Sequence, residues 1–136
     1  MSPLAFLLGA LVVGIGGGLG AVSRWGVQTL GVRVAAGRGL ERDERVKPWM
    51  TFLVNVIACF LLGVVVARLG SATGPGDYFY AALGAGFCGG LSTLSTAAHD
   101  IVDMVRRGAY SIALAYLMLS AGVGMGALWV GLVIAT

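Results

Sequence analysis

Of the chain's 136 residues, 58% are hydrophobic and only 11% are charged, against about 25% charged in a soluble domain, so the soluble globular class is excluded. The net charge of +3 does not mark a nucleic-acid-binding protein, because the basic residues sit beside long uncharged runs, where they act as topology signals. Cys59 and Cys88 fall inside two of those runs without metal-ligand spacing and read as small packing residues.

Residues 1–23, 49–67, 78–98 and 108–136 carry no charged side chain. A helix needs about 20 apolar residues to cross a hydrocarbon core roughly 30 Å thick, and each run is long enough. The expected architecture is all-α: a single four-helix transmembrane domain over residues 1–136, with spans at about 3–24, 49–68, 78–102 and 108–134. The first run lacks a basic leading segment and passes into Gly17-Gly18-Leu19-Gly20-Ala21 rather than a cleavage site, so it reads as a span and not as a signal peptide.

Span one ends in a glycine-rich stretch, Gly14 to Gly20, which reads as a surface for close helix packing in lipid. Arg24 closes it, either reaching to the interface or drawing an anion into a vestibule. The connection from about Val32 to Pro48 holds Arg33, Arg38, Arg42, Arg45 and Lys47 among Glu41, Asp43 and Glu44. Span two carries one polar group at its middle, Asn55, which serves either as an interhelical hydrogen-bonding residue or as an amide donor to a ligand. A short Gly/Pro-rich connection, Leu69 to Asp77, follows.

In span three Gly86-Phe87-Cys88-Gly89-Gly90 runs directly into Ser92-Thr93-Leu94-Ser95-Thr96. Glycine pairs weaken a helix and hydroxyls can satisfy freed backbone groups, so two half-helices with a break near Gly89 to Ser92 are expected. Unwound backbone at membrane depth survives only inside protein or beside water, where its carbonyls can hold a cation. His99 and Asp100 come next; as sequence neighbours they point in different directions and do not form a catalytic pair. Arg106 and Arg107 occupy the last connection. In span four, Tyr116 and Ser120 are one helical turn apart and share a face, which suggests a lined path.

The first and third connections lie on one side of the membrane and hold seven Lys/Arg, against Arg68 alone on the other. The positive-inside rule then places both termini outside the cytoplasm. Spans one, two and four contain no carboxylate, which argues against a proton-coupled exporter. No nucleophile–base pair, metal cluster or phosphate loop is present, so an enzyme is not expected. Amide, hydroxyl and Arg donors around a broken helix favour a small pore or carrier, with an anion as the better substrate.

Three blocks extend this reading. Gly17-Gly18-Leu19-Gly20-Ala21-Val22-Ser23-Arg24-Trp25, the Thr51 to Gly63 segment around Asn55, and Gly86 to Ala97 occur in that order in three of the four spans. They resemble the first-, second- and third-helix motifs of the Fluc (CrcB) fluoride channel family, the third being G-F-x-G-G-L-T-T-F-S-T-F. The resemblance implies antiparallel dimers of four-helix subunits with two fluoride pores, each lined by both chains. It also implies a structural sodium ion at the dimer centre, held by backbone carbonyls that correspond to Gly89 and Ser92. No organic cofactor is implied. The family's pore asparagine matches Asn55, its first-helix arginine Arg24, its fourth-helix polar track Tyr116, Ser120 and Gly124, and its acidic residue after the third motif Asp100.

Two departures stand out. The family's two pore phenylalanines are here Leu94 and Ala97, which offer no polar ring edge to an anion. Ala58 stands where a glycine is usual, and Gly124 where a hydroxyl is usual. The resemblance therefore implies a passive fluoride channel subunit in a bacterial-type inner membrane. It would work as a homodimer or as one half of a heteromeric pair with a second family member, and the missing rings point to the pair. The alternatives are a non-conducting structural or regulatory partner subunit and a small drug-exporter-like transporter.

Overall fold

The computed structural model describes residues 2–38 and 43–136, and every element among them is helical. Helix α1 (Pro3–Gly37) starts where Ser2 Oγ accepts the Ala5 N–H at 3.3 Å and Pro3 supplies a helix-ready φ. Its 35 residues reach about 52 Å at roughly 1.5 Å per residue, well beyond a hydrocarbon core of about 30 Å. The helix thus continues far past Arg24, into the segment expected as a connection. Helix α2 (Asp43–Leu69) likewise begins ahead of the apolar run and carries Pro48 inside it. Arg42 and the side chain of Arg45, both part of the basic connection, lie outside what is described.

The third pass is composite. Gly74, at a φ of +67° that suits glycine, leads into α3 (Pro75–Tyr80). A π-helical segment (Ala81–Cys88) and the short α4 (Gly89–Leu91) continue it. Ser92 and Thr93 are extended, and α5 (Leu94–Arg106) completes the pass. Gly108, at φ +76°, then turns the chain into α6 (Tyr110–Ala135). Helices α1, α6 and the Val46–Leu69 part of α2 are each long and apolar enough to cross a bilayer. The two half-helices around Ser92–Thr93 make the fourth crossing, so the protein is an all-α, multi-pass membrane protein with its third helix broken.

The break lies at Ser92–Thr93, not at the glycine pair: Gly89 and Gly90 are both helical. The reason is packing. A side chain at Gly90 would run into the Gly17 backbone, and one at Gly20 into the Phe87 carbonyl. On the same seam a Cβ at Gly86 would sit 2.8 Å from the Val13 carbonyl. These glycines let α1 and the first half of the third pass approach backbone to backbone, as small residues do in lipid. Gly63 and Gly131 do the same for α2 and α6.

Little of the surface is buried, as expected of a chain whose solvent is lipid. The core is a small cluster of Val54, Ala58 and Leu91, with Val27, Leu61 and Phe87 packed on it. The outer face of α1, with Leu4, Leu11, Ile15, Leu19 and Val22, is exposed. In water such a face would be a large apolar patch; in a bilayer it needs no cover.

Candidate functional site

The break is held in place from two sides. Asn55, half-buried at the middle of α2, accepts the Thr93 N–H on Oδ1 at 2.7 Å and donates from Nδ2 to the Thr93 carbonyl at 3.3 Å. In an unbroken helix the Thr93 N–H would go to the Gly89 carbonyl. Asn55 thus takes the helix's own bond and pairs the freed backbone at a depth where water is not at hand. From α1, Arg24 Nη1 donates to the Ser92 carbonyl at 3.2 Å.

Beyond the break, α5 starts on a hydroxyl cap. Thr93 Oγ1 accepts the Thr96 N–H at 3.2 Å and lies 2.9 Å from Thr96 Oγ1 and 3.2 Å from Ser95 Oγ. Gly89, by contrast, has open space beyond its Cα, and among the described residues its carbonyl meets only the long 3.4 Å approach of Ser92 Oγ. A carbonyl oxygen has two lone pairs, so both Gly89 and Ser92 have acceptor capacity left. Two such oxygens alone would not complete the shell of a cation, and the Arg24 guanidinium on Ser92 works against the second of them.

A separate polar row runs along α6 against α2. Tyr116, 5% exposed, donates its hydroxyl to the Pro48 carbonyl at 3.1 Å. One turn on, Ser120 Oγ is buried and has no hydrogen-bond partner among the described residues. Gly124, a further turn on, is buried close to Cys59, whose sulfur would lie 3.4 Å from a Cβ placed there. Tyr116 and Ser120 therefore share an inward face, while Arg24 and Asn55 gather at the break.

Leu94 and Ala97 part company. Leu94 is 86% exposed on the chain's outer surface, whereas Ala97 is buried. His99 faces Asp103 rather than Asp100, with Nε2 3.6 Å from Oδ2 across one turn of α5. The i, i+4 spacing of that pair was the signal available in the sequence. Sequence reasoning passed over Thr93, whose backbone and hydroxyl organise the break, and Thr51, which is buried and donates to the Lys47 carbonyl at 3.2 Å. Asp100 Oδ2 is buried without a partner among the described residues.

Comparison with known proteins matches residues 11–132 to the family described as "CrcB-like protein, Camphor Resistance (CrcB)". A Rhodococcus jostii protein named fluoride-specific ion channel FluC 2 is 36% identical over 121 residues, covering 89% of this chain and 93% of its own. The fluoride-specific ion channel FluC of Bordetella bronchiseptica is 38% identical over 115 residues, 85% of this chain and 78% of its own. The Mycobacterium bovis protein FluC 1 is 34% identical over 110 residues, 81% and 76% of the two chains. With a match over nearly the whole length, and a broken third helix at the motif that first suggested it, the chain belongs to the CrcB family.

Proposed function

We propose that the chain is a subunit of a passive, fluoride-selective channel in the plasma membrane, a single transmembrane domain that conducts rather than catalyses. The names of its relatives support the ion. The observation that carries the reading is the buried Ser120 hydroxyl beside Tyr116, which makes no well-formed hydrogen bond among the described residues, in a membrane interior where an idle donor costs stability. Fluoride is small and tightly hydrated, and a selective path must replace its water with N–H and O–H donors. Ser120 Oγ supplies one. Asn55 keeps one amide hydrogen beyond the bond to Thr93, and Tyr116 joins them by yielding its bond to Pro48. Arg24 at the break adds positive potential.

The finer assembly is an antiparallel dimer with a structural sodium ion at its centre. Gly89 and Ser92 carbonyls from each chain would surround the ion, and the open surface at Gly89 supports a contact there. When bound, the ion would tie the two broken helices together. Leu94 and Ala97 favour a heteromeric pair, since a symmetric dimer would contain no ring at either position. The lopsided Lys/Arg distribution favours one fixed orientation, with both termini outside the cytoplasm, whereas an antiparallel homodimer needs both orientations. The second reading, a partner subunit that does not conduct, draws on the same missing rings. Fluoride efflux from liposomes containing this chain, alone and with a ring-bearing family member, separates the two.

A further inference from the structure

Helices α2 and α6 run parallel, and their contacts fix a common register. Near their starts Tyr116 donates to the Pro48 carbonyl, and at their ends Arg68 donates to the Ala135 carbonyl. Between these two ties, a side chain at Gly124 would meet Cys59 Sγ at 3.4 Å, and one at Gly63 would run into the Leu128 carbonyl. Cys59 and Gly124 therefore stand at one level of the helix pair. Four residues back on each helix come Asn55 and Ser120, so these two polar residues share the level below. Cys59 lies one turn beyond them, on the face of α2 that carries Asn55.

Read along α6, the row offers a phenol at Tyr116, a hydroxyl at Ser120 and no side chain at Gly124. Gly124 is buried, so this last position faces the bundle and not the lipid. The group that reaches it is the half-buried thiol of Cys59. A cysteine that only packs behaves as a small apolar residue. Next to a Ser120 hydroxyl that is buried without a well-formed hydrogen bond, its S–H is a further donor, weaker than a hydroxyl.

We infer that Cys59 lines the ion path one turn beyond Ser120, its thiol taking the place in the row where α6 has only Gly124. The inference rests on the path proposed above and extends it from α6 to α2. It also gives the path a chemical handle. The thiolate is the nucleophile, and a thiol in apolar surroundings holds its proton. Facing lipid, Cys59 is inert; facing a hydrated path, it reacts. With methyl methanethiosulfonate the Cys59 sulfur, its proton lost to water, attacks the sulfenyl sulfur. An S–S bond forms, methanesulfinate leaves, and a methylthio group stays in the path.

The test is fluoride efflux from liposomes holding the full chain with a cysteine-free family member that carries both phenylalanines, the modified residue being located by peptide mass mapping. The reagent should add to Cys59 and leave the buried Cys88 untouched. Because the added group removes the S–H and narrows the path, efflux should fall about tenfold or more, and dithiothreitol should restore it. Fluoride in the medium should slow the labelling of Cys59, a readout independent of flux. Cys59→Ser, which puts a stronger donor in the same place, should conduct at least as fast as the unaltered chain and ignore the reagent. Should that variant fail to fold, labelling of the unaltered chain and its protection by fluoride decide. Undiminished efflux from a chain fully labelled at Cys59 overturns the inference while leaving the channel standing. So does a Cys59 that stays unlabelled while fluoride flows, or a block that persists in Cys59→Ser. No fluoride flux from the untreated, folded pair would instead overturn the channel reading, and this inference with it.

Discussion

Asn55 and Ser120 represent two different kinds of intramembrane polar residue, and substitution should separate them. Asn55 pairs both the N–H and the carbonyl of Thr93, so Asn55→Leu would strand two backbone groups away from water. At about 1–3 kcal/mol for each orphaned group, the expected loss is about 2–6 kcal/mol, read as a lower melting temperature in detergent and faster amide exchange at Thr93. A variant that melts like the unaltered chain would show that the break is held by something else. Ser120 makes no well-formed hydrogen bond among the described residues, so Ser120→Ala should change melting little. If its hydroxyl faces the ion, a hydrogen bond worth about 1.5–3 kcal/mol is lost and fluoride flux falls by about tenfold or more. Unchanged flux would remove Ser120 from the path. Both residues stood out in the sequence as rare polar groups in apolar runs. The partners of Asn55 and Tyr116 did not, because Thr93 and Pro48 lie 38 and 68 positions away from them and only the folded bundle brings them together.

The third pass shows where element-level reading succeeds and where it stops. Charge-free runs of adequate length were enough to find the helical passes, because lipid leaves a backbone no other economical way across. The hydroxyl run after the glycines was enough to foresee a break. Its position was read too close to Gly89, since a glycine pair carries the same signal whether it unwinds a helix or lets two helices touch. Here Gly90 does the second, against Gly17, while Gly89 faces open space. The π-helical stretch from Ala81 to Cys88 was not legible at all, because small apolar residues show no periodicity that separates π from α. This distinction makes adjacent glycines testable. Gly90→Val should prevent α1 from docking, an overpacking cost of roughly 1–3 kcal/mol or more, and give a chain that fails to fold in detergent. Gly89→Val should fold as a subunit yet fail to form dimers, as judged by crosslinking in membranes. If Gly89→Val dimerises and conducts normally, neither the dimer contact nor the sodium ion lies at that position.

At the scale of the whole molecule, the distribution of charge bears on how the chain is inserted. Seven Lys/Arg flank one side of the membrane and only Arg68 the other, where its Nε also donates to the Ala135 carbonyl at 2.6 Å and ties the end of α2 to the end of α6. Reporters fused to either terminus should report an extracytoplasmic location alone; equal signal from cytoplasmic and external reporters would mean dual insertion and would restore the homodimer. A single fixed orientation would make an antiparallel partner a different chain, and on the proposed reading that chain would bring the rings that Leu94 and Ala97 lack. An ion stripped of water without replacement donors faces a barrier of many kcal/mol at the bilayer centre. The most direct measurement is therefore fluoride efflux from liposomes reconstituted with this chain together with a family member that carries both phenylalanines. Fluoride should leave those vesicles far faster than protein-free ones, chloride should not, and Ser120→Ala in this chain should slow the release. Fluoride release no faster than from protein-free vesicles, with both chains shown to be folded and inserted, would contradict a fluoride channel subunit.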